Sequence, residues 1–249
     1  MKLNFMVAPD FSPDRFAGWH MVNTLLQSRS GLQLHLLTPA SAQEQSELLR
    51  RDAVDLIYAN PFDAAHLIRD LGFRAFARPM GKPDEMVIAT AAASPLKRLE
   101  DLRPGSRIAV TDNRDVKLIG LRLLEAADLT DKDLQWVLVE TFQAGARLAI
   151  KGEVDAAFFL AEIYHTLSRI TRSQLKILIE SAIFDITHVL LAHQRVLSEV
   201  PAIMAALAGI GQQAADHEVL DALGIPKGFA VMQEEEAEFM VDLMDTLLD

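Results

Sequence analysis

Apolar and polar positions alternate along this chain in two rhythms, and the rhythm switches repeatedly. Residues 2–7, KLNFMV, are an apolar run broken by one asparagine and predict a first strand. Over residues 13–28, Phe16, Trp19, His20, Asn23 and Leu26 recur at helical spacing. GLQLHLL (31–37) returns to period two and predicts a second strand. Ser41 followed by Glu44 is a capping-box pattern and predicts a helix over 41–51. VDLIYA (54–59) is apolar enough for a central parallel strand. Pro61 then opens a helix, where its missing N–H costs nothing. This βαβαβα rhythm predicts a parallel sheet covered on both faces.

A second series follows two strands placed around the Pro79–Pro83 joint in FRAFARPMGKPDEMVIATAAA. It reads as strand SRIAV, helix 113–127, strand LQWVLVE, helix 142–151, strand DAAFFL, helix 161–170 and strand LKILIES. One phrase recurs in the two series. Val54-Asp55 and Val154-Asp155, about 100 positions apart, each lead into an apolar run and then a helix. After THVLLAH, one more strand, the remaining tail reads as helical and is too short for a third lobe. The expected architecture is therefore α/β, with mixed sheets in two lobes and an interlobe ligand cleft. Residues 1–80 and 187–249 form the first lobe and 81–186 an inserted second one. Two crossings make a hinge, so closure on a small ligand is expected.

Composition narrows the partners. Half of the 249 residues are hydrophobic and 24% are charged, ordinary values for a soluble globular protein. A net charge of -11 argues against a nucleic-acid groove or an anionic membrane surface as the main partner. No run approaches the ~20 apolar residues of a membrane helix, so no membrane insertion is expected. With no cysteine there is no disulfide and no thiolate chemistry. MKLNFMVAPDF lacks the apolar core and cleavage site of a secretory leader and reads as a strand. A cytoplasmic location is the expectation, with a periplasmic one as the alternative if a leader has been removed.

The stretches DAVDLIYANPFDAAHLI, GSRIAVTDNRDVKLIGLRLL, GEVDAAFF and the tail HEVLDALGIPKGFAVMQEEEAEFMVDLM resemble the phosphate/phosphite/phosphonate ABC-transporter substrate-binding family, of type II periplasmic-binding-protein fold. The tail is the most specific of the four, and the resemblance spans nearly the whole chain. It implies a small-hydroxyl turn at the start of the second lobe's first long helix, where hydroxyls and helix N–H groups hold an oxyanion. Here the matching stretch is TDNRDVKLIG, with Asp115, Val116 and Lys117 where hydroxyls are expected. That departure predicts a small organic ligand rather than a phosphonate.

In such a fold, ligands meet strand ends and helix starts. The first-lobe candidates are Asp10, Phe11, Ser12, Tyr58 and Asn60; those of the second lobe are Asp112, Asn113, Arg114, Asp115, Thr141, Phe142, Phe159, Glu162 and Asp185. Each has a plainer reading. Asp10, Ser12, Asn60, Asp112 and Asn113 also suit helix caps. Tyr58 also suits a core edge, and one of Phe158 and Phe159 must face the core. The seven histidines form no metal pattern, and no nucleophile–base set or phosphate loop is present. No cofactor and no metal are expected. Three functions compete: a cytoplasmic sensor that binds a small ligand and signals to a regulator, an ABC-transporter receptor serving a permease, and a cytoplasmic enzyme acting on a small acid. The sensor is the expected one.

Overall fold

The computed structural model describes residues 2–9, 15–82, 84–182 and 186–248. The chain divides into two compact units, Met1–Lys82 with Thr187–Asp245 and Pro83–Ile186 with Thr246–Asp249. The first segment runs β1 (Lys2–Val7), α1 (Phe16–Ser30), β2 (Gln33–Leu37), α2 (Ala42–Arg50), β3 (Leu56–Ala59), α3 (Pro61–Asp70) and β4 (Phe73–Pro79). The second unit contributes β5 (Met86–Ala91), β6 (Arg107–Val110), α4 (Arg114–Leu124), β7 (Gln135–Leu138), α5 (Phe142–Ile150), β8 (Ala156–Leu160), α6 (Ala161–Thr166), α7 (Arg169–Ser173) and β9 (Leu175–Glu180). The last segment is β10 (Val189–His193), α8 (Val200–Gly209), α9 (Ala214–Leu223), β11 (Phe229–Val231) and α10 (Glu234–Leu248).

Both sheets are mixed, and their topologies match. The six-stranded sheet has the order β11-β4-β10-β3-β1-β2, and the five-stranded sheet has the order β7-β6-β8-β5-β9. In the first, β1 is parallel to β2 and β3, while β10 is antiparallel to β3 and β4. In the second, β6 is parallel to β7 and β8, while β5 is antiparallel to β8 and β9. β11 has no counterpart in the second sheet; it pairs antiparallel with β4 from a tail that reads as helical. At three residues it is too short to leave a periodic signal.

The repeated Val-Asp pair acts as a strand staple. Asp55 accepts from the Asn4 N–H at 2.8 Å and returns its own N–H to the Asn4 carbonyl at 3.0 Å. Asp155 does the same to Arg107, at 2.7 Å and 2.8 Å. In each unit the carboxylate fixes the register at which the first parallel strand meets the central one. An arginine neutralises each: Arg195 Nε lies 2.8 Å from Asp55, and Arg107 Nε lies 3.6 Å from Asp155. The correspondence extends upstream. α2 and α5 cover residues 42–50 and 142–150, capped by Ser41 and Thr141. Each is followed by a left-handed residue, Asp52 at φ 52° and Gly152 at φ 72°.

Strand alternation sorts side chains to the two faces of the first sheet. Leu3, Phe5, Val7, Leu56 and Tyr58 pack with Trp19, Val22 and Leu26 of α1. Met6, Ile57, Ala59 and Leu191 pack with Leu67 of α3 and Met240 of α10. Burying a side chain such as Phe5 contributes about 1.5–3 kcal/mol. On the second sheet, Val87, Ala109, Ala157 and Phe159 meet Ala146 and Ala149 of α5.

Three element boundaries differ from expectation. Ser41 Oγ accepts from Glu44 N–H at 3.2 Å, but the Glu44 carboxylate accepts from Ala40 N–H at 2.7 Å, one residue upstream of a regular capping box. The helix expected over 161–170 is two helices, because Ser168 starts a new one by accepting from Thr171 N–H at 3.1 Å. The helix expected over 113–127 is α4 followed by a 3-10 turn, Glu125–Ala127.

Candidate functional site

In the first unit, the carboxyl end of β1 leads into residues 10–14. Asp10, Phe11 and Ser12 lie there, outside the described residues, as does Asp185. Tyr58 is on β3 and is 5% exposed. Its ring lies 4.6 Å from that of Trp19 and stacks on His188 at 5.3 Å, with 25° between planes. Phe5 meets Trp19 edge-on at 6.1 Å, so four rings run in a row from the core to half-buried His188. Asn60 caps α3: its Oδ1 accepts from Asp63 N–H at 2.8 Å and its Nδ2 donates to Asp63 Oδ2 at 3.2 Å. Both ends of the amide are thus engaged within one helical turn.

In the second unit, β6 ends at Val110 and α4 begins at Arg114. Asn113 caps α4, its Oδ1 accepting from Val116 N–H at 2.9 Å. Asp112 and Arg114 are exposed, whereas Asp115 is buried at 6% exposure. Val116 is core at 1% exposure. Lys117 turns away along the helix, to Asp131 at 2.9 Å and over the Trp136 ring at 4.7 Å. Thr141 caps α5 through Ala144 N–H at 3.1 Å. Phe142 is half-buried against Phe159, with ring centroids 6.3 Å apart, and Phe159 is fully buried. Glu162 is half-buried in the first turn of α6.

The structure thus brings together Tyr58 with His188 and Phe142 with Phe159, and gathers residues 112–115 in one turn. Asn60, Asn113 and Thr141 are helix caps at the carboxyl ends of β3, β6 and β7. Such helix starts carry partial positive charge and N–H groups in excess of helical acceptors, so they suit oxyanions. Two residues outside the predicted set belong to the same strand ends. His188 precedes β10 and stacks on Tyr58. Thr111 directly follows β6, and its hydroxyl is buried with no hydrogen-bond partner among the described residues. Thr111 carries a small hydroxyl four positions upstream of Asp115, where the hydroxyls were sought. The signal was its place directly after the apolar run RIAV.

Among the described residues, no helix is long and apolar enough to cross a membrane, and no group of three or more His, Cys, Asp or Glu could hold a metal ion. A family model described as "ABC transporter, phosphonate, periplasmic substrate-binding protein" matches residues 5–237.

The chain belongs to that family.

A search of the curated proteins finds no match. Solved structures share the fold. PhnD1 from Prochlorococcus marinus in complex with methylphosphonate aligns with TM-score 0.80 at 12% identity, covering 99% of this chain and 98% of that one. A binding-protein component of an ABC phosphonate transporter from Pseudomonas aeruginosa aligns with TM-score 0.74 at 17% identity, covering 100% and 89%. The periplasmic aliphatic sulphonate-binding protein SsuA from Escherichia coli aligns with TM-score 0.68 at 16% identity, covering 98% and 87%.

Membership corrects two expectations. The family consists of periplasmic substrate-binding components of ABC transporters, so the cytoplasmic location and the cytoplasmic sensor are both overturned. The residues that decided the location, Lys2–Val7, are β1 of the first sheet. Their pattern therefore reports on the fold and not on the compartment. The exclusion of phosphonate rested on the sequence alone. It took residues 115–117 as the hydroxyl-bearing turn, but Val116 is core and Lys117 is committed to Asp131 and Trp136. The enzyme reading falls too: this is a non-enzymatic protein that binds a small molecule.

Proposed function

We propose that this protein captures a small organic oxyanion of phosphonate or sulfonate chemistry and delivers it to an ABC permease. The observation that carries the reading is the buried, unpartnered Thr111 hydroxyl at the start of capped helix α4. A buried hydroxyl without a partner costs about 1–3 kcal/mol. A bound oxyanion would recover that cost by accepting from it, next to the positive end of an 11-residue helix. Asn113 and Thr141 support the reading by fixing the helix starts on which such an anion depends.

Calorimetry with methylphosphonate, phosphate and short alkanesulfonates tests this. Saturable binding of at least one is expected, and Thr111→Val should weaken it by about 10–100-fold, the value of one hydrogen bond to a charged group. Thr111→Ser should retain most of the affinity. If none of these anions binds, or if Thr111→Val binds as tightly as the wild type, the reading fails.

A further inference from the structure

The chain passes between its two units twice, at Lys82–Pro83 and at Ile186–Thr187. In the first unit the passages continue β4 and β10, which pair antiparallel; in the second they continue β5 and β9, which also pair antiparallel. Between these ladders the two passages stay bonded to each other. Within the first unit, Thr187 Oγ1 donates to the Lys82 carbonyl at 3.0 Å, with the His188 carbonyl a second acceptor at 3.2 Å. Within the second, the Asp84 N–H donates to the Ile186 carbonyl at 2.7 Å. Ser181 Oγ accepts from the Met86 N–H at 2.9 Å and donates to the Glu85 carboxylate. Asp84, Glu85, Ser181 and Thr187 are four of the nine buried polar or charged residues among the described ones. Burying such groups costs free energy that hydrogen bonds only partly return, so their gathering at the passages points to a role there. A tie on each side of the boundary leaves little chain free to turn: Pro83 between Lys82 and Asp84, and the Ile186–Thr187 link on the return. Proline contributes little of that freedom, because its ring fixes φ.

We propose that these ties confine closure of the units to a one-residue joint, and that Thr187 is the positioning residue that sets it. The inference rests on the receptor reading above, because closure serves a protein that traps what it carries. Two passages held to each other on both sides define one line about which the units turn, and such a rotation needs few dihedral changes. The second-unit tie includes a backbone bond, Asp84 to Ile186, whereas the first-unit tie is made by a side-chain hydroxyl. Without that hydroxyl the joint lengthens by Lys82 and Thr187, twisting joins bending, and the unliganded protein samples more orientations. Trapping a ligand then costs more conformational entropy, so affinity falls.

The chain has no cysteine, so Ser46→Cys on α2 and Arg147→Cys on α5, both exposed, each take one spin label. Label-to-label distances are measured by double electron–electron resonance without ligand. They are expected to spread more widely in Thr187→Val than in the wild type, and to return to the wild-type spread in Thr187→Ser, which keeps the hydroxyl. Methylphosphonate should bind Thr187→Val about 3–10-fold more weakly, the value of one neutral hydrogen bond. A merely structural Thr187 would lower Tm and leave the spread unchanged. Should Thr187→Val fail to fold, Pro83→Ala decides, since it returns φ freedom to the other passage, and a wider spread there supports the joint. A spread unchanged in the folded variants, a spread widened equally in Thr187→Ser, or methylphosphonate bound as tightly by Thr187→Val as by the wild type overturns the proposal. The spread is read without ligand, so a failure of every anion to bind counts against the oxyanion reading and leaves the joint to be judged on the spread.

Discussion

Replacing Gly120 by alanine probes how α4, the helix that carries the candidate anion site, is seated on its sheet. A Cβ built at Gly120 would lie 2.2 Å from Phe158 Cε2, 2.7 Å from its Cδ2 and 2.8 Å from its Cζ. Phe158 cannot swing aside: it is 2% exposed and meets Trp136 edge-on at 5.5 Å. Overpacking of this kind costs about 1–3 kcal/mol, and three contacts this close place it at the upper end. The helix gains about 1 kcal/mol from losing a glycine. The net is a loss of about 2 kcal/mol, or roughly 4–8 °C in Tm for a chain of this size. Gly145→Ala in α5 is the matched control, because its nearest atoms lie at 3.6 Å and 3.8 Å, an ordinary contact distance. There the propensity gain should prevail, leaving stability unchanged or raised by up to about 1 kcal/mol. Thermal and urea unfolding of the two variants check this. If Gly120→Ala melts with the wild type, or if the two variants shift alike, the close seating of α4 on Phe158 is wrong. Oxyanion affinity should also fall in Gly120→Ala, since lifting α4 moves its first turn relative to Thr111.

Other expectations follow from the staples and the turns. Asp155→Ala should cost about 1–2 kcal/mol in urea unfolding by leaving the Arg107 N–H without its acceptor, and Asp155→Asn, which keeps a carbonyl, should recover much of it. Gly152→Ala should lose about 1 kcal/mol, because φ 72° is a left-handed conformation that a Cβ disfavours. His193 is held below its ordinary pKa first by burial and then by Arg195, against a partial pull from Asp52 and Asp55. A neutral ring is therefore part of the folded state, and its Nδ1 accepts from Arg195 N–H at 3.3 Å. The stability it contributes is complete above the unfolded value near 6.5 and is lost as pH falls through the lower folded value. The urea midpoint should drop as pH falls below about 6.5, and His193→Asn should flatten that drop.

The parts of the fold that were legible in the sequence are those written in periodicity. β1, the caps Ser41, Asn60 and Asn113, the proline that opens α3 and the two-series plan all follow from spacing and from which side chains can cap a helix. β11 was not legible, because three residues carry no period, and neither was the break at Ser168, because the apolar pattern runs across it. The sequence marked candidate positions but not the use each side chain is put to. Strand ends and helix starts are where the candidates lie, yet a residue that can hold a ligand at such an end is also one that can cap the helix behind it. Asn60, Asn113 and Thr141 make cap bonds for that reason, and nothing local in the sequence separates the two uses. Thr111 differs because the cap role falls to Asn113, two residues on, which leaves its buried hydroxyl over.

The internal repeat turns that ambiguity into a comparison. A feature present in both copies is explained by the fold they share. The aspartate staple, the Ser or Thr cap 14 residues before it and the left-handed turn between them recur at Asp55, Ser41 and Asp52 and again at Asp155, Thr141 and Gly152. A feature present in one copy needs another cause. Asp52 holds a left-handed φ that the second copy gives to glycine, and there the cause is visible: its carboxylate reaches Arg195, the arginine that also neutralises Asp55. The strained turn is offset by charge neutralisation at the staple.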